Sequence, residues 1–452
     1  MNMPGKSLDR LVLVASAALL ALIFALNAMQ LQRGVQVLAA APADTTVSNA
    51  ARITVTFSEE MEHDSVESAF SIQPDVSGTF SWTENTLIFK PELPLQESME
   101  YTVSVSGSAL SAQSTMREAF TFSFTVRPAR ILYLHPADGN SQLWTAGTNP
   151  GNPELEQLSD AEGSVVDYST ARDGSIIIHI EQFAGGRSIQ SLDPASGKIR
   201  MLVDCGEAAC LYPALSPDGK TLAYFRQEGD PSDSSVEQGL WIMDLESGSI
   251  SLLAPADPSR CDAPSWSPDG NMLAWADADV GGIRIRNMNS GQEQLIPSSM
   301  GISGSWSEEG TEYLFSELQM AGSQPRGVIY MADLDQNSIS PLFGSGGSGL
   351  SFRVPQYSPD GKWMAAAVSG PDTGPGYQLV LYSFPDITPR IVTNEPDFSF
   401  SSAAWHPSSN SILYQRVENL NPSAPPSIWL YDLDSENSTL LIENAYMPGW
   451  LH

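Results

Sequence analysis

The segment Leu215-Ser216-Pro217-Asp218-Gly219-Lys220-Thr221-Leu222-Ala223-Tyr224 does not stand alone in this chain. It returns as Trp266-Ser267-Pro268-Asp269-Gly270-Asn271-Met272-Leu273-Ala274-Trp275 and as Tyr357-Ser358-Pro359-Asp360-Gly361-Lys362-Trp363-Met364-Ala365-Ala366. Degenerate copies are Thr170-Ala171-Arg172-Asp173-Gly174, Trp306-Ser307-Glu308-Glu309-Gly310 and Trp405-His406-Pro407-Ser408-Ser409. The residues ahead of the turns lie at 170, 215, 266, 306, 357 and 405, so the spacing is 40 to 51 residues. A repeat of that length is the sequence mark of β-propellers and related arrays. The turn has a physical logic. Proline presets φ at its first position, aspartate bonds nearby backbone, and glycine accepts a positive φ. It therefore joins a first strand, A, to a second, B, as a compact hairpin.

Each copy then supplies a C strand, such as Leu240-Trp241-Ile242-Met243-Asp244-Leu245, and a D strand, such as Ile250-Ser251-Leu252-Leu253. Four antiparallel strands per repeat make a propeller blade. The two ends of the repeat region are incomplete in complementary ways. It opens with Ile131-Leu132-Tyr133-Leu134 as a B strand that no A strand precedes. It ends with Tyr446-Met447-Pro448-Gly449-Trp450-Leu451-His452, an A strand with Trp450 in register 45 residues after Trp405. The expectation is that the last strand completes the first blade, giving seven blades and no open edge.

These Ser-Pro-Asp-Gly repeats resemble the WD-repeat-like β-propeller of the TolB type over about 320 residues. The resemblance implies a protein-binding or envelope-associated propeller. Arg172, Glu308-Glu309 and Ser408-Ser409 depart from the pattern and are expected to make their blades less regular.

Before the repeats, residues 43–128 alternate in short runs, among them Ile53-Thr54-Val55-Thr56-Phe57, Thr86-Leu87-Ile88-Phe89 and Phe120-Thr121-Phe122-Ser123-Phe124-Thr125-Val126. Period-two alternation buries one face of each strand, as two packed sheets require. No helical periodicity of comparable length intervenes. Val55-Thr56-Phe57-Ser58-Glu59-Glu60-Met61, Phe70-Ser71-Ile72, Leu87-Ile88-Phe89-Lys90-Pro91 and Tyr101-Thr102-Val103 resemble the bacterial Ig-like domain of the SbsA type. That resemblance implies a spacer or accessory module without chemistry of its own.

At the N-terminus, residues 1–10 carry Lys6 and Arg10 and are expected to stay cytoplasmic. Leu11–Leu26 is an apolar run with one Ser and no charge, and continuing it through Leu31 gives the 21 residues 11–31, long enough to span a bilayer. A retained signal anchor is the reading, with a cleaved signal peptide as its competitor, and residues 32–42 are read as a linker. The bulk of the chain is then extracytoplasmic at a cell membrane, or secreted if the segment is cleaved. The expected fold is thus all-β: a seven-bladed β-propeller over 130–452, closed by its C-terminal strand, behind an Ig-like β-sandwich and one N-terminal transmembrane helix.

Composition excludes several functions. With 22 Lys plus Arg against 53 Asp plus Glu, the net charge is −31, and no basic stripe is available to follow phosphates. Five His and three Cys cannot build a metal- or disulfide-rich framework. No nucleophile elbow, phosphate-binding glycine loop or His-rich motif occurs, so no catalytic residue, metal ligand or cofactor is assigned. His135, His179 and His406 are read as turn or core residues near strand ends. Trp266, Trp306, Tyr357, Trp405 and Trp450 recur at one repeat position and are read as inter-blade core.

Cys205, Cys210 and Cys261 are placed in D–A loops, and two pairings are open: Cys205 with Cys210, or Cys210 with Cys261. The A–B and C–D turns are short and alike. The B–C and D–A connections are long and unlike one another, as in 227–239 with Asp230 and Asp233, 317–327, 369–376, 418–427 and 344–349. Variable loops on a rigid scaffold are where recognition usually sits, so Asp230 and Asp233 are candidate binding-face residues. The function expected is a non-catalytic, membrane-anchored binding or scaffold protein that meets a protein or glycan partner at the cell envelope. The alternatives are an exported propeller enzyme, a polysaccharide lyase or hydrolase, and a structural surface-layer component.

Overall fold

A computed structural model describes residues 34–451, apart from 44, 50, 93, 107–110, 112–114, 117, 150, 228–237, 323, 345–348, 372 and 422. The expected membrane segment, 11–31, lies outside the described residues. Among the described residues no helix is long and apolar enough to cross a membrane. The chain divides into two compact units at Arg127/Pro128.

The first unit is a sandwich of two four-stranded sheets. One orders Val37–Ala41, Ile53–Phe57, Thr86–Pro91 and Gly78–Thr83; the other orders Thr46–Val47, Phe120–Val126, Glu100–Val105 and Phe70–Gln73. The alternating residues Ile53, Val55, Phe57, Leu87, Tyr101, Val103 and Phe124 form its core. Two expectations need correcting. The residues read as a linker, 32–42, instead begin the sandwich: Val37–Ala41 pairs with Ile53–Phe57, and Val35 is buried and bridged to Met116. Small alanines give that strand no alternation to read. A short helix, His63–Ala69, also interrupts the strands; Val66 is its one fully buried residue, while His63 stacks on Trp82 and Glu67 accepts from the Trp82 indole. One apolar anchor in seven residues is too little for a periodicity to register.

Among the described residues, the second unit contains seven four-stranded antiparallel sheets. The first joins Arg130–His135, Gln142–Ala146 and Glu156–Gln157 to the tail strand Tyr446–Leu451. The others follow in chain order over Ser164–Gly206, Ala209–Pro255, Ser265–Pro297, Ser305–Phe343, Ser351–Ile391 and Phe398–Glu443. The tail strand pairs Trp450 with Ile131, Gly449 with Leu132 and Tyr446 with Leu134.

B strands such as Ile177–Phe183 and Thr221–Gln227 are apolar at consecutive positions because both of their faces are covered. Ile177 packs toward the first sheet and Ile178 toward the third. Further clusters join third to fourth through Phe225 and Trp275, fourth to fifth through Ile283 and Phe315, and fifth to sixth through Leu314 and Met364. Leu381 and Tyr414 join sixth to seventh, and Leu413 and Tyr133 join seventh to first.

Neighbouring sheets are tied together by hydrogen bonds, most of them between A strands. The indole Nε1 of Trp266 donates to Ala214 O (3.0 Å), Trp306 to Ser265 O (3.2 Å), Trp405 to Gln356 O (3.3 Å) and Trp450 to Ala404 O (3.0 Å). Tyr357 N donates to Ser305 Oγ (3.1 Å), Leu215 N to Ser169 Oγ (3.0 Å) and Tyr168 Oη to Leu132 O (3.1 Å). Every sheet is thereby bonded to the one before it, and the tail strand in the first sheet to the seventh.

The Ser-Pro-Asp-Gly turns have one construction. In the third, fourth and sixth sheets the serine hydroxyl donates to the aspartate and accepts from the backbone N–H five residues on. The fourth-position N–H bonds back to the first-position carbonyl in all six copies, degenerate ones included. In the seventh sheet Ser409 takes the glycine's place at φ 58°, and His406 Nδ1 accepts from Ser408 N (3.1 Å). The loss of regularity expected of the degenerate copies is not observed at their turns, because this backbone bond needs neither proline nor aspartate.

Candidate binding face

The B–C and D–A connections of the second unit differ in length and form. One expected loop, 317–327, is instead mostly paired: Glu312–Ala321 and Gln324–Asp333 form a long hairpin in which Leu318 faces Gly327 and Met320 faces Pro325. Leu318 and Met320 are exposed on it. The short polar turn between them reads as loop, which hides the pairing. Asp230 and Asp233 lie outside the described residues.

Cys205 is disulfide-bonded to Cys210. Both sit in strands, Lys198–Gly206 of the second sheet and Ala209–Leu215 of the third, so the D–A connection between them is shorter than expected. Cys261 is a buried free thiol, pushed up to about 12 by burial and by Asp277 and Asp279. It is therefore a protonated, weakly nucleophilic group at neutral pH.

A cleft of about 760 Å³ opens between the first two sheets. Its walls come from the loop around Asn140, the Glu162-Gly163 connection, the tip of the hairpin at Gln182-Phe183 and Tyr446 of the tail strand. The floor is prearranged. Ser164 Oγ donates to Asn140 Oδ1 (3.0 Å), Tyr446 Oη to Ser141 Oγ (3.1 Å), and Gly163 N to Glu181 Oε1 (2.9 Å). Gly163 is required there, since a Cβ would lie 2.1 Å from Gln182 O. Arg187 holds Gln182 by donating Nε and Nη2 to its Oε1, at 3.2 and 2.9 Å.

Beside the cleft, the A strand Ser164–Thr170 carries Asp167. Burial pushes its carboxyl up to about 7, although the backbone N–H groups of Tyr168 and Tyr212 and the charge of Arg187 pull the other way. The folded pKa is thus above the unfolded one, so stability falls as pH rises from about 4 to about 7 and levels off above that. Asp167→Asn keeps an acceptor for the Tyr168 N–H (2.8 Å) and removes the ionisation. It is expected to raise stability by about 1–3 kcal/mol at about pH 8 and to flatten the pH dependence, read from thermal melts at about pH 5 and pH 8.

His179 is not near a strand end as expected but inside Ile177–Phe183, fully buried and pushed down to about 4 by burial against the opposing effect of Glu181. It is a neutral core residue at neutral pH. Among the described residues no group of three or more His, Cys, Asp or Glu is placed to hold a metal ion.

The A–B turns, at the other end of the sheets, carry an arrangement that sequence reading missed. Arg172, in the second sheet's turn, donates Nη2 to Glu308 Oε1 of the fifth sheet's turn (2.7 Å) and Nη1 to Pro268 O of the fourth (3.4 Å). The two sheets are three apart, so the pair bridges turns that are not neighbours. Arg172 and Glu308 both occupy the position that proline holds in the regular copies, and that shared departure was the available signal. With about a third of each side chain exposed, their coupling is expected to be about 0.5–1 kcal/mol and to shrink with salt. Reversing Glu308→Arg alone should lower the melting temperature. Adding Arg172→Glu should restore it, a double-mutant cycle that reads the pair directly.

Residues 32–126 match the bacterial Ig-like domain family. No curated protein matches the chain. Among solved structures, the chain is similar to TolB from Acinetobacter baumannii, at 13% identity and TM-score 0.44, over 85% of this chain and 83% of that one. It is also similar to the oligogalacturonate lyase of Vibrio parahaemolyticus, at 13% identity and TM-score 0.51, over 68% of this chain and 88% of that one. A third is the β-propeller domain of the Trilobed protease from Pyrococcus furiosus, at 16% identity and TM-score 0.48, over 62% and 84%. At such identities the likeness concerns the fold alone. The chain therefore carries a bacterial Ig-like domain, followed by a run of four-stranded antiparallel sheets of the β-propeller kind.

Proposed function

We propose that this is a non-catalytic binding protein, anchored by residues 11–31 with its bulk outside the cytoplasm. Its seven sheets are the blades of one ring, closed by the C-terminal strand, and the ring presents its B–C and D–A face to a protein or glycan partner. The observation that carries the reading is the asymmetry of the two ends. One end has uniform turns bridged by Arg172–Glu308, while the other has unequal hairpins and loops around the cleft. Recognition belongs on the variable end, where side chains differ without disturbing the scaffold.

The alternative, an exported propeller enzyme, draws support from Asp167, a carboxyl poised near neutral pH on the edge strand Ser164–Thr170 of the second sheet. Two measurements separate them. A binding protein retains its partner from native envelopes, loses it when loop-face residues are substituted at unchanged melting temperature, and turns over no polysaccharide. Turnover that disappears in Asp167→Asn would establish the enzyme, and partner retention after loop-face substitution would remove the binding face proposed.

A further inference from the structure

We infer that the cleft between the first two sheets is a saccharide site, selective for neutral over anionic sugars. The inference rests on the binding-face reading and names the ligand class for one part of it. Four features converge. At about 760 Å³ the cleft is within the usual range of small-molecule sites. The ring of Phe183, 39% exposed at the hairpin tip, offers an apolar face to the C–H side of a pyranose. Asn140 and Gln182 have their carbonyl oxygens occupied, by Ser164 and Arg187, which leaves the amide N–H groups as donors to ligand oxygens. Glu162 supplies a carboxylate that accepts from hydroxyls. A sugar diol both donates and accepts, and so matches a site holding amide donors beside a carboxylate.

Charge sets the selectivity. No Lys or Arg is among the cleft-lining residues, Glu162 is, and the whole chain has a net charge of −31. A uronate or sulfated sugar would meet the Glu162 carboxylate with no cation in the lining itself, since Arg187 spends its Nε and Nη2 on Gln182. A neutral sugar loses nothing to it.

The test titrates the full-length protein with cellobiose, maltose, chitobiose and mannobiose, with digalacturonate as the anionic comparison. Saturable binding of at least one neutral disaccharide is expected, with digalacturonate at least about tenfold weaker. Phe183→Ala and Glu162→Ala should each weaken binding about tenfold or more. Both side chains are exposed, so the melting temperature should stay unchanged and folding is not confounded. Absence of binding by every neutral sugar, binding insensitive to both substitutions, or tighter binding of digalacturonate would each overturn the inference. If a partner is still captured by the loop face in those cases, the wider binding reading survives while the saccharide site fails.

Discussion

Deleting residues 446–452 is expected to abolish cooperative folding of the propeller. The lost strand covers the edge of Arg130–His135, and its Trp450 belongs to the same cluster as Ile131, Tyr133, Leu413 and Ile428. Without it the first sheet has three strands and an unpaired row of backbone groups. The seventh sheet also loses its indole bond through Ala404. The cost should exceed about 5 kcal/mol, comparable with the whole stability of a typical domain. The measurement is chemical denaturation followed by near-ultraviolet circular dichroism. A deletion protein that unfolds in the same single transition as the intact chain would count against the account.

The second large effect is expected at Trp450 itself. The residue is 6% exposed, donates to Ala404 O at 3.0 Å and meets the ring of His406 edge-on at 4.5 Å. Trp450→Ala removes a large buried side chain at a cost of about 3–5 kcal/mol. Trp450→Phe keeps most of the volume but leaves Ala404 O without its donor, at about 1 kcal/mol or somewhat more. The difference between the two substitutions separates packing from the hydrogen bond. If Trp450→Phe cost nothing, the indole bond to Ala404 O would not be serving as a link between the first and seventh sheets.

Much of this architecture was legible because a repeat enforces its own signature. The Ser-Pro-Asp-Gly turn appears as a word, since serine, aspartate and glycine each supply a bond or a dihedral that the hairpin needs. The recurring tryptophans were legible as core, but their second role was not. Sequence cannot show that Nε1 reaches a carbonyl of the preceding sheet. The strand Val37–Ala41 was missed because alanines pack on either face and leave no period. The helix His63–Ala69 was missed because only Val66 is fully buried.

The candidate site was harder to read than the scaffold. Asn140, Glu162, Gln182 and Phe183 come from three separate connections, and only the stacking of the first two sheets brings them together. Asp167 is visible as an acid within an A strand, yet its raised pKa depends on enclosure by the neighbouring sheet. Arg172 and Glu308 looked like decay of the motif. Their partnership shows that two departures at one repeat position can compensate each other in space.

The most direct measurement concerns where the last strand goes. Arg130 and Leu451 face one another across the antiparallel pair, and directly opposed residues bring their Cα atoms about 4.5–5.5 Å apart, within reach of a disulfide. In Arg130→Cys/Leu451→Cys the two introduced thiols are expected to join spontaneously under oxidising conditions and to raise the melting temperature. If both thiols stayed reactive in the folded protein, the tail would not be the strand paired to Arg130–His135 in the first sheet, and the proposed ring would be open.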